Sequence, residues 1–377
     1  MSPADEPRVL APRPSAGSSA FQENGARVLA PRPTAGASDS VAELTELDSQ
    51  PVHLTEVAAP PKPIGAGLGG VHQRHRLGDR VFAGLATGAG ILTIILIALI
   101  GLFLLAKAWP SIRDNQVNFL ISRAWTVTGN ELRFGVVDLL YTTVIASLVA
   151  MALAVPVAVG IALFITQYAP RSLAKLVGYL VDLLAAIPSI IFGIWGIYVL
   201  APHLTGVQHL LYHVRFIPLF KDKGFDTGTV FNAALVLAIM ILPIVTAVSR
   251  DVFERTPTER VEAAWALGAT RWEMIRLAVL PHGRAGVVSG AMLGLGRALG
   301  ETIAVTLILS TVGQGNAFSW SIFNGGATFA SKIANAAAEF NNPKQTGAYI
   351  AAGLVLFVLT FLVNAAARTI VSRDKLK

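Results

Sequence analysis

Arg297 and Glu301 stand four residues apart in the run GLGRALGETIAV, Gly294 to Val305, whose other residues apart from Thr302 are small or apolar. An arginine inside such a run costs about 2.5 to 3.5 kcal/mol on an insertion scale, so its presence calls for a compensating partner or task. A guanidinium presents a planar fork of donors that fits an oxyanion, and a carboxylate four residues on can hold or release that fork. The bland alternative is a structural ion pair in which each charge masks the cost of the other. Gly286, Gly290 and Gly294 recur every four residues, the small-residue spacing that brings membrane helices close together. At 100° per residue, Arg297 falls about 60° and Glu301 about 20° from Gly294, so both are expected on the glycine side, facing protein or a cavity. Ser189, behind Pro188 and ahead of Gly193 and Gly196, is a further candidate polar contact within an apolar stretch.

The elements that must position these residues follow from composition. Of 377 residues, 53% are hydrophobic and only 14% charged, and the mean hydropathy is positive, which places the chain in a membrane. A helix needs about 20 apolar residues to cross the bilayer core. Six stretches qualify: 81–106, 136–165, 177–200, 230–249, 286–310 and 347–370. Lipid offers no partner to an open backbone, so an all-α bundle is expected. With six spans both tails share a side. The tails and the loops after the second and fourth spans hold 20 of the 30 Lys and Arg residues, Arg368 being counted with the C-terminal tail. That excess places both termini in the cytoplasm. The net charge of +7 then reads as topology signal and lipid-headgroup contact, and not as nucleic-acid binding.

Several kinds of chemistry are excluded or disfavoured. The chain has no cysteine, hence no disulfide, thiolate metal site or thiol nucleophile. No G-x-x-x-x-G-K-[ST] loop occurs, so any ATP that drives this protein is bound by another chain. His209 and His213 have the spacing of a metal pair, but without a third ligand nearby they are read as part of an amphipathic segment, and no metal site is assigned. Residues 1–72 are rich in Pro, Ala, Ser and Gly and repeat RVLAPRP at 8–14 and 27–33, which reads as a disordered cytoplasmic leader ending at the basic HQRHR anchor.

The segment 250–285 is the most informative polar piece. Thr256-Pro257-Thr258-Glu259 and Thr270-Arg271-Trp272-Glu273 each offer a capping box, predicting two short helices. Gly268 between them can take the left-handed conformation that ends the first, and Pro281 is expected to close the second. Val261, Ala264, Trp265 and Gly268 recur at helical spacing on one face.

Glu262-Ala263-Ala264, with Gly268 four residues on and Leu280-Pro281 at the end, resembles the EAA loop of ABC importer permeases. The runs AVPVAVGIALFITQYAP (154–170), LLAAIPSIIFGIWG (183–196) and GLGRALGETIAVT (294–306) are similar to the permeases of Pst-type bacterial phosphate transporters, the C type more than the A type. The resemblance implies a six-helix importer permease domain, 73–377, in the inner membrane. It implies an EAA loop whose Glu262, Ala263, Ala264 and Gly268 couple to a separate ATPase, and a substrate path that includes Arg297, Glu301 and Ser189. Its implied partners are a related A-type permease, two ATP-binding subunits carrying ATP and Mg, and an external phosphate-binding protein. No cofactor or catalytic residue is expected in this chain itself. The competing readings are an importer for another oxyanion or polar solute, and an ion channel or secondary transporter, which needs no EAA loop.

Overall fold

The computed structural model describes residues 77–127, 131–213, 218–220, 227–309, 320–337, 340 and 342–374. The leader lies outside these residues. The described fold is of the expected all-α class, with one two-residue antiparallel ribbon, β1 (Trp125–Thr126) with β2 (Arg133–Phe134).

Five described helices are long and apolar enough to cross a membrane: Arg80–Arg113, Val137–Tyr168, Ser189–Tyr212, Val230–Glu254 and Pro343–Thr369. The first belongs to α1 (Leu77–Arg113), the second to α2 (Val137–Leu163) with a π turn at Phe164–Tyr168, and the last to α12 (Pro343–Asp374). The fourth is α6 (Val230–Glu254).

The expected spans 177–200 and 286–310 are each interrupted. The chain runs as α3 (Arg171–Ala186), stops at Ile187 and Pro188, and restarts as α4 (Ser189–Trp195), which continues through Gly196–Leu200 into α5 (Ala201–Tyr212). Proline forces the residue before it out of the helical region, and Ile187 is extended at φ −70°, ψ 127°. The second interruption follows α9 (Leu280–Gly300), where Glu301 is extended before the short α10 (Ile303–Ile308). Glycines at 294, 296 and 300 lower the helical preference of the preceding turns. Pro156 and Pro243, in contrast, lie inside uninterrupted helices.

The buried core is α6 held between two ladders of small residues. On α2, Ala146, Ala150, Ala154, Ala158 and Ala162 are buried at every fourth position. On α9 the glycine stripe makes the close helix contact its spacing predicts, and the partner is α6: a Cβ at Gly286, Gly290 or Gly294 would lie 2.2, 3.0 and 3.1 Å from Val252, Val248 and Val245. Absent side chains let backbones approach where lipid supplies no hydrophobic drive. Gly286→Ala therefore places its first carbon inside a stiff β-branched neighbour, and overpacking of this kind costs about 1 to 3 kcal/mol. The expected result is a lower unfolding temperature and less protein in the membrane. Gly296→Ala, where nothing lies within 4 Å, should change neither.

At one end of the bundle, the segments 114–127 and 131–136, α11 (Phe329–Ala336) and the start of α12 form an aromatic cap around buried Phe134 and Phe329. Asn115 clamps Phe134 by donating to its carbonyl at 2.7 Å and accepting from its N–H at 3.1 Å. Lys332 lies over the Trp125 ring at 5.4 Å, and burial pushes its amine below the usual lysine range.

Candidate functional site

The substrate-path candidates gather at the two helix interruptions. Gly193 of α4 meets α10 so closely that a Cβ there would lie 2.9 Å from Ala304 Cα and from Leu307 Cδ1. One turn on, a Cβ at Gly196 would lie 3.1 Å from Ile308 Cδ1. The contacts advance in the same direction along both helices, so the breaks that precede them lie side by side. Ser189 is the first helical residue after one break and is half-buried. Glu301 occupies the other.

Arg297 and Glu301 do not form the paired stripe that helical counting predicts. The helix ends at Gly300, so the 100° increment stops one residue short of Glu301. Beyond Gly294 the buried positions become Ala298 and Leu299, and Arg297 stands on the exposed surface of this chain. Among the described residues no ion pair joins it to Glu301. Glu301 is half-buried, and its Oε1 accepts from the Ala304 N–H at 3.3 Å, capping the first turn of α10. Arg297, an exposed residue in the last turn of α9, complements the negative end of that helix.

At the opposite end from the aromatic cap lies the helical hairpin of α7 (Thr258–Ala266) and α8 (Arg271–Met274). Gly268 has φ +77°, its N–H donates to the Trp265 carbonyl at 2.9 Å, and the Ala269 N–H donates to the Ala264 carbonyl at 3.1 Å. That pair of bonds is a Schellman end, which satisfies carbonyls left over by α7. The capping box of Thr270 and Glu273 forms as predicted. Hydrogen bonds from the Thr270 backbone and hydroxyl hold the Glu273 carboxyl below the usual carboxylate range. Its contribution is therefore present above the ordinary glutamate value and lost as pH falls through the lowered one.

The other predicted box does not form. The N-cap of α7 is Pro257, whose ring has no acceptor to offer, and Thr256 lies outside the helix with its hydroxyl donating back to the Phe253 carbonyl at 2.9 Å. Nor does Pro281 end a helix. From Arg271 the chain is continuous to Gly300, with a π turn at Ile275–Val279 just before the proline. The wider i→i+5 turn accommodates a residue that lacks an N–H and crowds the carbonyl four residues back.

Of the coupling candidates, Glu262, Ala263 and Gly268 are on the outer surface, whereas Ala264 is buried against the cluster of Phe253, Met274 and Ile275. Ala264 thus fixes the hairpin, and the outward apolar surface comes from Trp265, Leu267 and Trp272, which are 45%, 87% and 56% exposed. Leu267 and Trp272 escape helical-face counting because they lie in the turn and at the start of the next helix. The available signal is large apolar residues beside a turn glycine in a polar loop. Arg271 stacks over the Tyr168 ring at 5.5 Å and ties the hairpin to the end of α2.

The His209 and His213 pair is joined through the backbone, with His213 Nδ1 2.7 Å from the His209 carbonyl oxygen.

Residues 154–374 match the family described as the binding-protein-dependent transport system inner membrane component. Phosphate transport system permease protein PstC 2 of Mycobacterium tuberculosis is 55% identical over 300 residues, spanning 78% of this chain and 92% of that protein. PstC of Mycobacterium leprae is 52% identical over 314 residues, spanning 82% and 97%, and PstC of Mesorhizobium japonicum is 40% identical over 307, spanning 80% and 92%. The matched region contains both helix interruptions, the glycine ladder and the hairpin, so the chain belongs to the binding-protein-dependent transport system inner membrane component family, alongside the PstC permeases.

Proposed function

We propose that this chain is one permease half of an ATP-driven importer of inorganic phosphate, with Arg297 as the residue that meets the oxyanion. One observation carries the assignment of Arg297: it stands one turn before a helix break, beside a second break, with its guanidinium unclaimed by Glu301. Interrupted helices free backbone groups at membrane depth, and such backbone is tolerated where it lines a path. Relatedness to PstC permeases supports phosphate as the cargo. The chain is a transport subunit and performs no hydrolysis of its own.

The face that exposes Arg297 is completed by a related A-type permease, and the path runs between the two. With α9 and α10 taken as one broken crossing, six crossings put both termini and the hairpin in the cytoplasm. Two ATP-binding subunits, carrying ATP and Mg, engage the hairpin through Glu262, Ala263, Gly268 and the exposed Trp265, Leu267 and Trp272. Because the hairpin continues without a break into α9, its displacement moves Arg297 directly. Glu301, tied to the N-terminus of α10, and Ser189, at that of α4, mark the other walls of the path. An external phosphate-binding protein loads the opposite end.

The direct test is uptake of labelled phosphate by a strain that lacks its own phosphate importer and expresses this chain with its partner subunits. ATP-dependent uptake is expected, and it should persist when residues 1–71 are deleted but the basic anchor is kept. No uptake from an assembled complex would remove phosphate as the cargo. Loss of uptake with the truncated chain alone, at equal abundance, would turn the repeated RVLAPRP into a functional motif.

A further inference from the structure

Where the helix from Arg271 leaves the hairpin, it and α2 leave an open groove of about 420 Å³ between them. Val159, Leu280, Val287 and Val288 give it apolar walls, and Arg276 and Arg284 line it as well. The two arginines are eight residues apart, about two helical turns, and both are exposed. The chain segments that form the groove also carry exposed apolar residues, among them Val157, Phe164 and Leu277. Arg171, Lys175 and Arg271 at the same end add to a basic collar where the spans meet the hairpin.

The chemistry of the lining selects the occupant. A free phosphate ion would exchange its hydration for walls that are mostly apolar, an unfavourable trade for a dianion. A wholly apolar partner would match the Val and Leu walls but not the charge that the arginines bring to the lining. A molecule with an anionic phosphate next to a hydrocarbon chain matches both parts, since arginine forks bind phosphate oxygens in pairs and the Val and Leu side chains accept methylenes. We propose that the groove binds one anionic phospholipid, its phosphate on Arg276 and Arg284 and an acyl chain along Val159, Leu280, Val287 and Val288. Such a lipid would brace α2 against the helix that carries the hairpin.

The test is binding, read independently of uptake. The assembled transporter in mild detergent, titrated with phosphatidylglycerol or phosphatidylcholine and followed by native mass spectrometry, is expected to retain phosphatidylglycerol selectively. Excess inorganic phosphate should not displace it. The Arg276→Gln, Arg284→Gln double variant is expected to bind phosphatidylglycerol about thirtyfold more weakly, from two cations at the per-charge attraction usual near anionic leaflets. Val288→Trp fills the apolar half with both arginines in place and should also weaken retention. Subunit masses in the same spectra show whether each variant assembles; should the arginine variant not assemble, the wild-type selectivity and Val288→Trp decide. Equal retention of phosphatidylcholine, displacement by phosphate, or unchanged retention by an assembled variant overturns the proposal.

Discussion

Replacing Arg297 by leucine is expected to reduce phosphate uptake about a hundredfold, the loss of a paired, charge-assisted contact to an oxyanion, while the subunit stays in the membrane at wild-type abundance. The second half of that expectation comes from the structure. Were Arg297 and Glu301 an ion pair, removing one would orphan the other and cause loss through misfolding in either case. Glu301 instead bonds the Ala304 N–H, so it keeps its partner when Arg297 is changed. Arg297→Lys retains the charge but not the planar fork and should also transport poorly. Glu301→Gln keeps an oxygen for the Ala304 N–H and should assemble normally, whereas Glu301→Ala removes the cap at a cost of about 0.5 to 2 kcal/mol. Near-normal uptake by Arg297→Leu, in a complex shown to contain its ATPase, would end the assignment of Arg297 to the path.

The second large effect is expected at Gly268. Its φ of +77° is left-handed, and no atom lies within 4 Å of where a Cβ would be, so a substitution is penalised by backbone conformation and not by crowding. A β-branched residue pays more than about 1 kcal/mol to hold that conformation. In Gly268→Val the relief of that strain should undo the Schellman end and turn Trp265 and Leu267 relative to Trp272, misaligning the outward apolar surface. Uptake should drop at least about fivefold, the rate equivalent of that strain, with ATP hydrolysis persisting or the ATPase bound less tightly. Asparagine tolerates the left-handed region, so Gly268→Asn should recover most of the uptake. Full uptake by Gly268→Val at normal abundance would show that this turn does not align the coupling surface.

Local rules suffice for the features that depend on a few consecutive residues. The apolar runs mark membrane helices because length and hydropathy are additive along the chain. Gly268 marks its turn and Thr270 with Glu273 its cap, because backbone conformation and capping bonds are set within one helical turn. The glycine spacing at 286, 290 and 294 marks a close helix contact, since only the absence of side chains permits one. Tertiary structure decides what periodicity extends too far. Counting at 100° assumes that the helix continues, and it carries Glu301 onto a stripe that the chain has left at Gly300. It treats Pro281 as a stop, although a π turn lets the helix pass. It puts Ala264 and Trp265 on one face, although packing against Phe253 and Met274 buries the first and leaves the second outside. The pairing of α4 with α10, which sets the two breaks side by side, joins residues more than a hundred positions apart through Gly193 and Ala304. Such a contact forms only when α6 and its small-residue neighbours have fixed where each broken helix lies, and that arrangement is a property of the packed bundle, not of any single segment.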